Sequence, residues 1–254
     1  MVKEKNRSST KEARENAEKA LVRQYFDNKR NGIFLDIGAN DPIAPESQSW
    51  HLEDKLDWSG VLVEPNPLFI DKCKKYRPNS ISFNCAIVGD ETEDQVVLYI
   101  PLLDGKEMDV HAGIGKNIDD FNYKKHREIS VPGRTLNSIL QETGIENVDL
   151  LSIDVEGAEL DVLLGFDIMK YPPKLILLED KHLYLTKHKY LKKHGYRLVK
   201  RTGFNFWYVP KDAKRPYQSK AEKIKILKRM YLSRWLKKIT YSLRHKSLEP
   251  FKHL

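Results

Sequence analysis

Four apolar runs in this 254-residue chain each end in residues that can do chemistry. Ile33-Phe34-Leu35-Asp36-Ile37 leads into Gly38-Ala39-Asn40. Gly60 to Val63 leads into Glu64, followed by Pro65-Asn66-Pro67. Val148 to Ile153 ends in Asp154, and Lys174 to Leu178 ends in Glu179-Asp180. Short apolar runs of this kind mark parallel strands buried on both faces. In a doubly wound sheet, ligands bind beyond the carboxyl ends of such strands. A glycine there lets the backbone turn tightly and approach a ligand. Asp36 can meet a cationic amino group directly or through water, and Glu64 can accept both hydroxyls of a ribose. A glycine turn on the first strand with an acid closing the second is a nucleoside-binding layout. Gly38-Ala39-Asn40 lacks the further glycines that seat a pyrophosphate on a helix, which argues against dinucleotide binding. A further strand ends at Asn84-Cys85-Ala86, beside the place an adenine would take.

Asp154, Glu179 and Asp180 close two neighbouring strands and are expected to converge above the sheet. Three oxygen ligands suit a hard cation such as magnesium, which keeps water sites for substrate hydroxyls. The alternative is that Glu179 and Asp180 cap the next helix or pair with Lys181 and His182. The acids of Asp154-Val155-Glu156-Gly157-Ala158-Glu159 can also be a helix first turn favoured by the macrodipole, a reading that suits Glu159 better than Asp154. His182 follows the acid pair and can serve as a general base, its ordinary pKa lying near neutrality.

The elements that position these residues alternate. Lys11 to Asn28 reads as a helix, with Ala17, Ala20, Leu21 and Tyr25 at helical spacing. Helices are expected over 67–75, 136–143, 157–164 and 184–194. Strands are expected over 81–83 and 96–100 as well, and a hairpin over 196–200 and 206–209 around Gly203. Leu103 to Ser130 is polar, with weak periodicity, and reads as a long loop or insertion of the sort that forms lids. The order is that of an α/β doubly wound sheet with a hairpin edge.

Three segments make a resemblance specific: Phe34 to Pro42, Trp58 to Pro67, and Asp149 to Glu159. With Gly195-Tyr196 and Asn205 to Pro210, they resemble FkbM-type methyltransferases from about Tyr25 to Pro210. The family implies a class I methyltransferase (Rossmann-like) fold, a mostly parallel seven-stranded sheet with an antiparallel hairpin edge. It implies S-adenosylmethionine as methyl donor and O-methylation of sugar or polyketide hydroxyls, often in glycan assembly. Carried over by position, Asp36, Gly38 and Asn40 hold the methionine half of the cofactor. Glu64 holds the ribose, Asn66 supports that turn, and Cys85 and Ala86 line the adenine. The family often shows Ser-Asn-Thr after the glycine turn, where this chain has Ser47-Gln48-Ser49. The expected reaction is methyl transfer to a hydroxyl, with Asp154 and His182 as catalytic candidates. The acceptor is a sugar of a surface glycan or its precursor, with a small natural product or lipid as the alternative.

Composition sets the outer limits. Hydrophobic residues make up 40% and charged residues 31%, as in a globular protein with a highly charged surface. Cys73 and Cys85 are too few for a disulfide framework. The formal charge of +8 is uneven. From Lys211 to Leu254 there are 14 Lys/Arg against 3 Asp/Glu, so the body is mildly acidic. A basic nucleic-acid-binding protein is the alternative of another class, disfavoured by that acidic body, so no nucleic acid is expected. The expected organisation is an N-terminal helix (1–30), a methyltransferase domain (31–210) and a basic amphipathic tail (211–254). In the tail Ile224, Leu227, Met230, Tyr231, Trp235, Leu236, Ile239 and Leu243 fall largely at helical spacing among lysines. That pattern suits peripheral contact with anionic lipid. With no apolar leader or span, the expected place is the cytoplasm, at the inner face of the membrane.

Overall fold

The computed structural model describes residues 15–92, 94–103, 106–107, 113–114, 125–180, 185–213, 216, 218–233 and 239. A first helix, α1 (15–25), precedes β1 (Ile33–Ile37), α2 (Trp50–Leu56), β2 (Ser59–Val63), α3 (Pro67–Tyr76) and β3 (Ile81–Phe83). Next come β4 (Ala86–Ile87), β5 (Gln95–Leu103), β6 (Lys106–Glu107), β7 (Gly113–Ile114) and β8 (His126–Arg134). The chain then continues through α4 (Leu136–Thr143), β9 (Leu150–Ile153), α5 (Glu159–Leu164), β10 (Leu175–Glu179) and α6 (Leu185–Lys193). It closes with β11 (Tyr196–Thr202), β12 (Asn205–Pro210), α7 (Lys220–Leu227) and a π-helical turn over Lys228–Ser233.

The main sheet has seven strands in the order β3-β2-β1-β9-β10-β12-β11. The strands from β3 to β10 run parallel, β12 pairs antiparallel with β10, and β11 pairs antiparallel with β12, which returns it to the direction of the others. The register sets the site. Ile37 lies beside Val63 and Ile153, and Ile153 lies beside Leu178. The residues that follow them, Gly38, Glu64, Asp154 and Glu179, therefore reach one edge together.

Alternate residues of each strand feed two cores, as the two-residue strand period requires. Phe34, Leu62, Leu150, Leu175 and Leu177 pack with Val22, Leu52, Trp58 and Ile70 on one face. Leu35, Ile37, Val61, Val63, Leu151 and Ile153 pack with Leu136, Ile139, Val162 and Leu163 on the other. Burial on both faces explains why these strands read as continuous apolar runs. Helix starts are fixed locally. The Asn66 side chain accepts from Leu68 N with Pro67 at the first helical position, and Thr135 accepts from Ser138 N.

The expectation of a loop over Leu103 to Ser130 is corrected at its ends. β5 and β8 pair antiparallel from Gln95↔Pro132 to Pro101↔His126, forming a second sheet with β4. β8 is mostly exposed and contains Pro132 and Gly133, so it shows neither an apolar run nor clean alternation. Residues 108–112 and 115–124, in the middle of that segment, lie outside the described residues.

α1 is part of the body. Val22 is fully buried, and Phe26 just beyond the helix packs edge-on to Trp58. At the other end of the chain, the tail divides its apolar residues. Ile226 and Met230 are buried, while Ile224, Leu227, Tyr231 and Leu232 are at least half exposed. Trp235, Leu236 and Leu243 lie outside the described residues. Among the described residues no helix is long and apolar enough to cross a membrane.

Candidate active site

The carboxyl ends of β1, β9 and β10 open into a cleft of about 530 Å³, within the range of small-molecule sites. Asp36, Gly38, Asn40, Ser152, Asp154 and Glu179 line it from the strand ends. Glu15 and Glu18 of α1, Gln48, and Phe204 and Asn205 of the hairpin turn complete its walls. Sequence motifs touch Gln48 and Asn205 without assigning them a role, and they miss Glu15, Glu18 and Phe204, which reach the cleft from α1 and the hairpin turn. Glu18 is 5% exposed. It accepts from the Thr202 hydroxyl, from Asn205 Nδ2 at 3.1 Å and from Trp207 Nε1 at 3.2 Å. Burial still pushes its carboxyl above the usual range, outweighing those three bonds.

At the β1 end, Gly38 has φ +85°, and a Cβ there would collide with the Asp154 carbonyl oxygen. Only glycine allows this close approach of the turn to β9. Asp36 accepts from the Ser49 hydroxyl and is also hydrogen-bonded to Ser152. Beneath it Arg77 donates to Ser49 Oγ at 2.9 Å and to Glu53 Oε2 at 2.7 Å. Burial raises the Asp36 carboxyl, with Arg77 and then the two serines pulling the other way.

At the β2 end, Glu64 Oε2 accepts from Asn40 N and Oε1 from Asn66 N, both at 2.8 Å. Asn84 Nδ2 donates to the Glu64 and Pro65 carbonyls, tying the β3 end to this turn. Each Glu64 oxygen keeps a further lone pair for another donor. Burial pushes the Glu64 carboxyl up to about 7, against the two backbone bonds.

The β9 and β10 ends bring carboxylates together. One oxygen each from Asp154, Glu156 and Glu179 lie within 4.8 Å of one another. Glu156 sits at φ +49° and Gly157 at φ +111°. A left-handed glutamate costs about 1–2 kcal/mol, and a nearby bond secures the turn: Gly157 N donates to Glu159 Oε1 at 2.8 Å. The other Glu159 oxygen accepts from Lys187 Nζ at 2.7 Å, and the same ammonium lies 3.2 Å from Asp180 Oδ1. Lys187, Glu159 and Asp180 are all buried.

The metal set expected from sequence, Asp154, Glu179 and Asp180, is therefore corrected in one member. Successive strand residues point to opposite faces. Asp180 turns back to Lys187, and Glu156 takes the third place beside Asp154 and Glu179. Cys85 and Ala86, each 2% exposed, pack in the cores and do not line the cleft. Burial pushes the Cys85 thiol up to about 12, so it is a packing residue. Glu64 and Asn66 lie under the Asn40 turn and do not line the cleft either. His182 lies outside the described residues.

Gln48 supplies a test of whether a cofactor with a charged amine fits here. Its Oε1 is buried without a hydrogen-bond partner, on a residue lining the cleft beside Asp36. An acceptor in that position calls for an incoming N–H donor.

The strand order, the antiparallel edge pair and the acids at the strand ends define the class, a Rossmann-like methyltransferase. Residues 36–198 match the methyltransferase FkbM domain, and the chain belongs to that family, which implies S-adenosylmethionine as methyl donor. Over 34 residues, 13% of this chain, it is 56% identical to the AMB antimetabolite synthetase AmbE of Pseudomonas aeruginosa. The match spans 2% of that much longer protein. The precorrin-6y C5,15-methyltransferase of Geobacter metallireducens is similar over 75% of this chain and 85% of its own, at 12% identity and TM-score 0.38.

Proposed function

We propose that this methyltransferase acts on oxygen, moving a methyl group to a hydroxyl of a sugar in a surface glycan or its precursor. The observation that carries this reading is the convergence of Asp154, Glu156 and Glu179 beside the Gly38 turn. A sugar hydroxyl is a weak acid and needs a base or a metal ion to lose its proton as the methyl arrives. Bound S-adenosylmethionine supplies a methyl on a sulfonium whose sulfur leaves neutral. Asp36, Gly38, Asn40 and the unpartnered Gln48 oxygen would hold its methionine half, and Glu64, behind the Asn40 turn and outside the cleft lining, is the proposed acceptor for the ribose through the lone pair left on each oxygen. Asp154 takes the hydroxyl proton. The three carboxylates together suit magnesium, and Asp154, Glu156 and Glu179 are the residues that would hold it.

Calorimetry tests the donor. S-adenosylhomocysteine binds the wild type, and Glu64→Ala weakens binding by about 1–3 kcal/mol, the scale of a lost charged hydrogen-bond acceptor. No binding to the wild type ends the reading. Methylation assays on sugar acceptors test the rest. Activity falls on chelation and returns with magnesium, and Asp154→Asn lowers turnover far more than donor affinity. Full activity in excess chelator leaves Asp154 as a base acting without metal. The short likeness to an antimetabolite synthetase supports a second reading, a small natural product as acceptor. Turnover of small hydroxylated metabolites with sugars inert selects it.

The tail is proposed to hold the enzyme against anionic lipid. Its outward residues Ile224, Leu227 and Tyr231 are flanked by Lys220, Lys223, Lys225 and Lys228, a composition that suits a charged bilayer surface. Full-length protein floats with anionic liposomes in low salt, and a chain ending at Pro210 does not. Equal flotation of both removes this role.

A further inference from the structure

The turn between β11 and β12 carries an aromatic ring at its tip. Thr202 pairs with Asn205, so Gly203 and Phe204 alone make the loop. Of the two only Gly203 has a positive φ, at +53°, the pattern of a two-residue hairpin turn with glycine first. Residues at such tips are ordinarily small or polar. Here a phenyl side chain stands 52% exposed and lines the cleft at the strand ends. Among the described residues it is the one aromatic ring in that lining.

The tip is held from two sides. Glu18 of α1 accepts from the Thr202 hydroxyl and from Asn205 Nδ2, the residues that flank the turn. Asp180 N, just past β10, donates to the Phe204 carbonyl at 3.2 Å. Trp207 Nε1 donates to Thr202 Oγ1 at 2.7 Å from within the hairpin. A ring on a turn fixed in this way is placed before any ligand arrives, which lowers the cost of binding.

The sheet order says which ligand it meets. β2, which ends in Glu64, lies four strands away from β12, about 19 Å at the usual strand spacing. The nucleoside end of the donor is therefore remote from Phe204. Glu179 is in register with Asn205, so the ring stands one residue beyond, next to the carboxylates of β9 and β10 and on their far side from Glu64. Around it Glu15, Asp154 and Glu179 line the cleft, with no Lys or Arg among the described lining residues. Lys19, which acts on Glu15 and Glu46, and Lys72, which pairs with Asp41, stand outside it. Such walls accept hydrogen bonds, so the ligand must bring donors such as hydroxyls.

We propose that Phe204 is the platform on which the acceptor's sugar ring lies. A pyranose has a face of C–H bonds and a rim of hydroxyls. The C–H face packs on the electron-rich face of the phenyl ring, and the rim hydroxyls donate to Asp154 and Glu179. Phe204 thus selects the acceptor and leaves the donor alone. The inference rests on the reading of a sugar as acceptor.

The test uses the full chain, S-adenosylhomocysteine or S-adenosylmethionine, and a panel of methyl hexopyranosides. With S-adenosylhomocysteine bound, saturating the aromatic protons should transfer to the glycoside C–H protons, at least threefold less in Phe204→Leu. In turnover, Phe204→Ala and Phe204→Leu should raise KM for the glycoside at least tenfold with kcat within threefold, and Phe204→Tyr should stay within threefold of wild type. That split is the mark of lost ground-state binding. S-adenosylhomocysteine should bind every variant within twofold of wild type, which also shows that the variants fold. An unchanged KM in Phe204→Ala, full rescue by leucine, a matching loss of S-adenosylhomocysteine affinity, or no glycoside bound at all would overturn the proposal. Glycosides that take up saturation from Phe204 and are never methylated sink the sugar-methylation reading and leave the platform standing. Methylated glycosides whose KM ignores Phe204 do the reverse.

Discussion

At the ends of β1 and β2, Asp36 and Glu64 are enclosed and oriented by neutral donors, the Ser49 hydroxyl for one and the Asn40 and Asn66 amides for the other. At the ends of β9 and β10, Glu159 and Asp180 are tied to the buried Lys187 ammonium, and Asp154, Glu156 and Glu179 crowd together. Burial raises both carboxyls, and the Arg77 cation at Asp36 and the two backbone amides at Glu64 pull them back, so the first region holds its acids in fixed orientations. Like charges close together favour whatever neutralises them. In the second region Lys187 sorts the acids: it holds Glu159 and Asp180, while Asp154, Glu156 and Glu179 group together at the strand ends.

The largest expected effect breaks that sorting. Lys187→Met keeps the side-chain bulk and leaves two buried carboxylates without their cation. Breaking a buried pair in this way costs about 3–5 kcal/mol, read by urea denaturation. A loss below about 1 kcal/mol would show that Lys187 does not organise this end. Gly38→Ala comes next. The left-handed φ alone costs about 1–2 kcal/mol, and the collision with the Asp154 carbonyl adds to it. Stability falls, and S-adenosylhomocysteine binding is lost because the turn must move away from β9. Unchanged binding would separate the β1 turn from the donor site.

A pH series sharpens the comparison at the β2 end. Folded Glu64 keeps its proton to about 7, while its ordinary carboxyl releases it near 4.5. Between those values the folded state binds more protons than the unfolded state, so this group makes stability fall as pH rises from 4.5 to 7. Glu64→Gln removes that slope, and a slope of the same size in the variant assigns it elsewhere. The smallest effect lies far from both regions. Ser219 and Glu222 form a reciprocal cap at the start of α7, and Ser219→Ala costs about 1 kcal/mol. Hydrogen exchange should rise in α7 and leave the strand ends unchanged.

Much of this architecture is legible in sequence because parallel strands buried on both faces must be apolar throughout. Ile33 to Ile37, Leu150 to Ile153 and Leu175 to Leu178 show it. The acids that close them are legible for the same reason, as the first polar residue after an apolar run. Which of two adjacent acids faces the cleft is not. Glu179 and Asp180 differ only in strand phase, and the partner that claims Asp180 lies on α6. Glu156 reads as a helix turn because nothing local signals its left-handed backbone. Glu18 is invisible as a site residue because its partners, Thr202, Asn205 and Trp207, lie more than 180 residues away. The β8 strand hides because its faces are exposed and Pro132 breaks the pattern.

The second sheet leaves and rejoins the body at one place. Ala86 and Ile87 of β4 lie beside Gly133 and Arg134 of β8, and Val88 N donates to the Arg134 carbonyl at 3.0 Å. The junction works as a graft union, with the stock sealed below it. Lengthening a closed loop tenfold costs only about 2 kcal/mol of closure entropy. A lineage can therefore extend, trim or replace everything between Val88 and Arg134 while the ends of the parallel strands stay as they are. Descendants with new acceptors should differ most in this excursion and least at Asp36, Gly38 and Glu64.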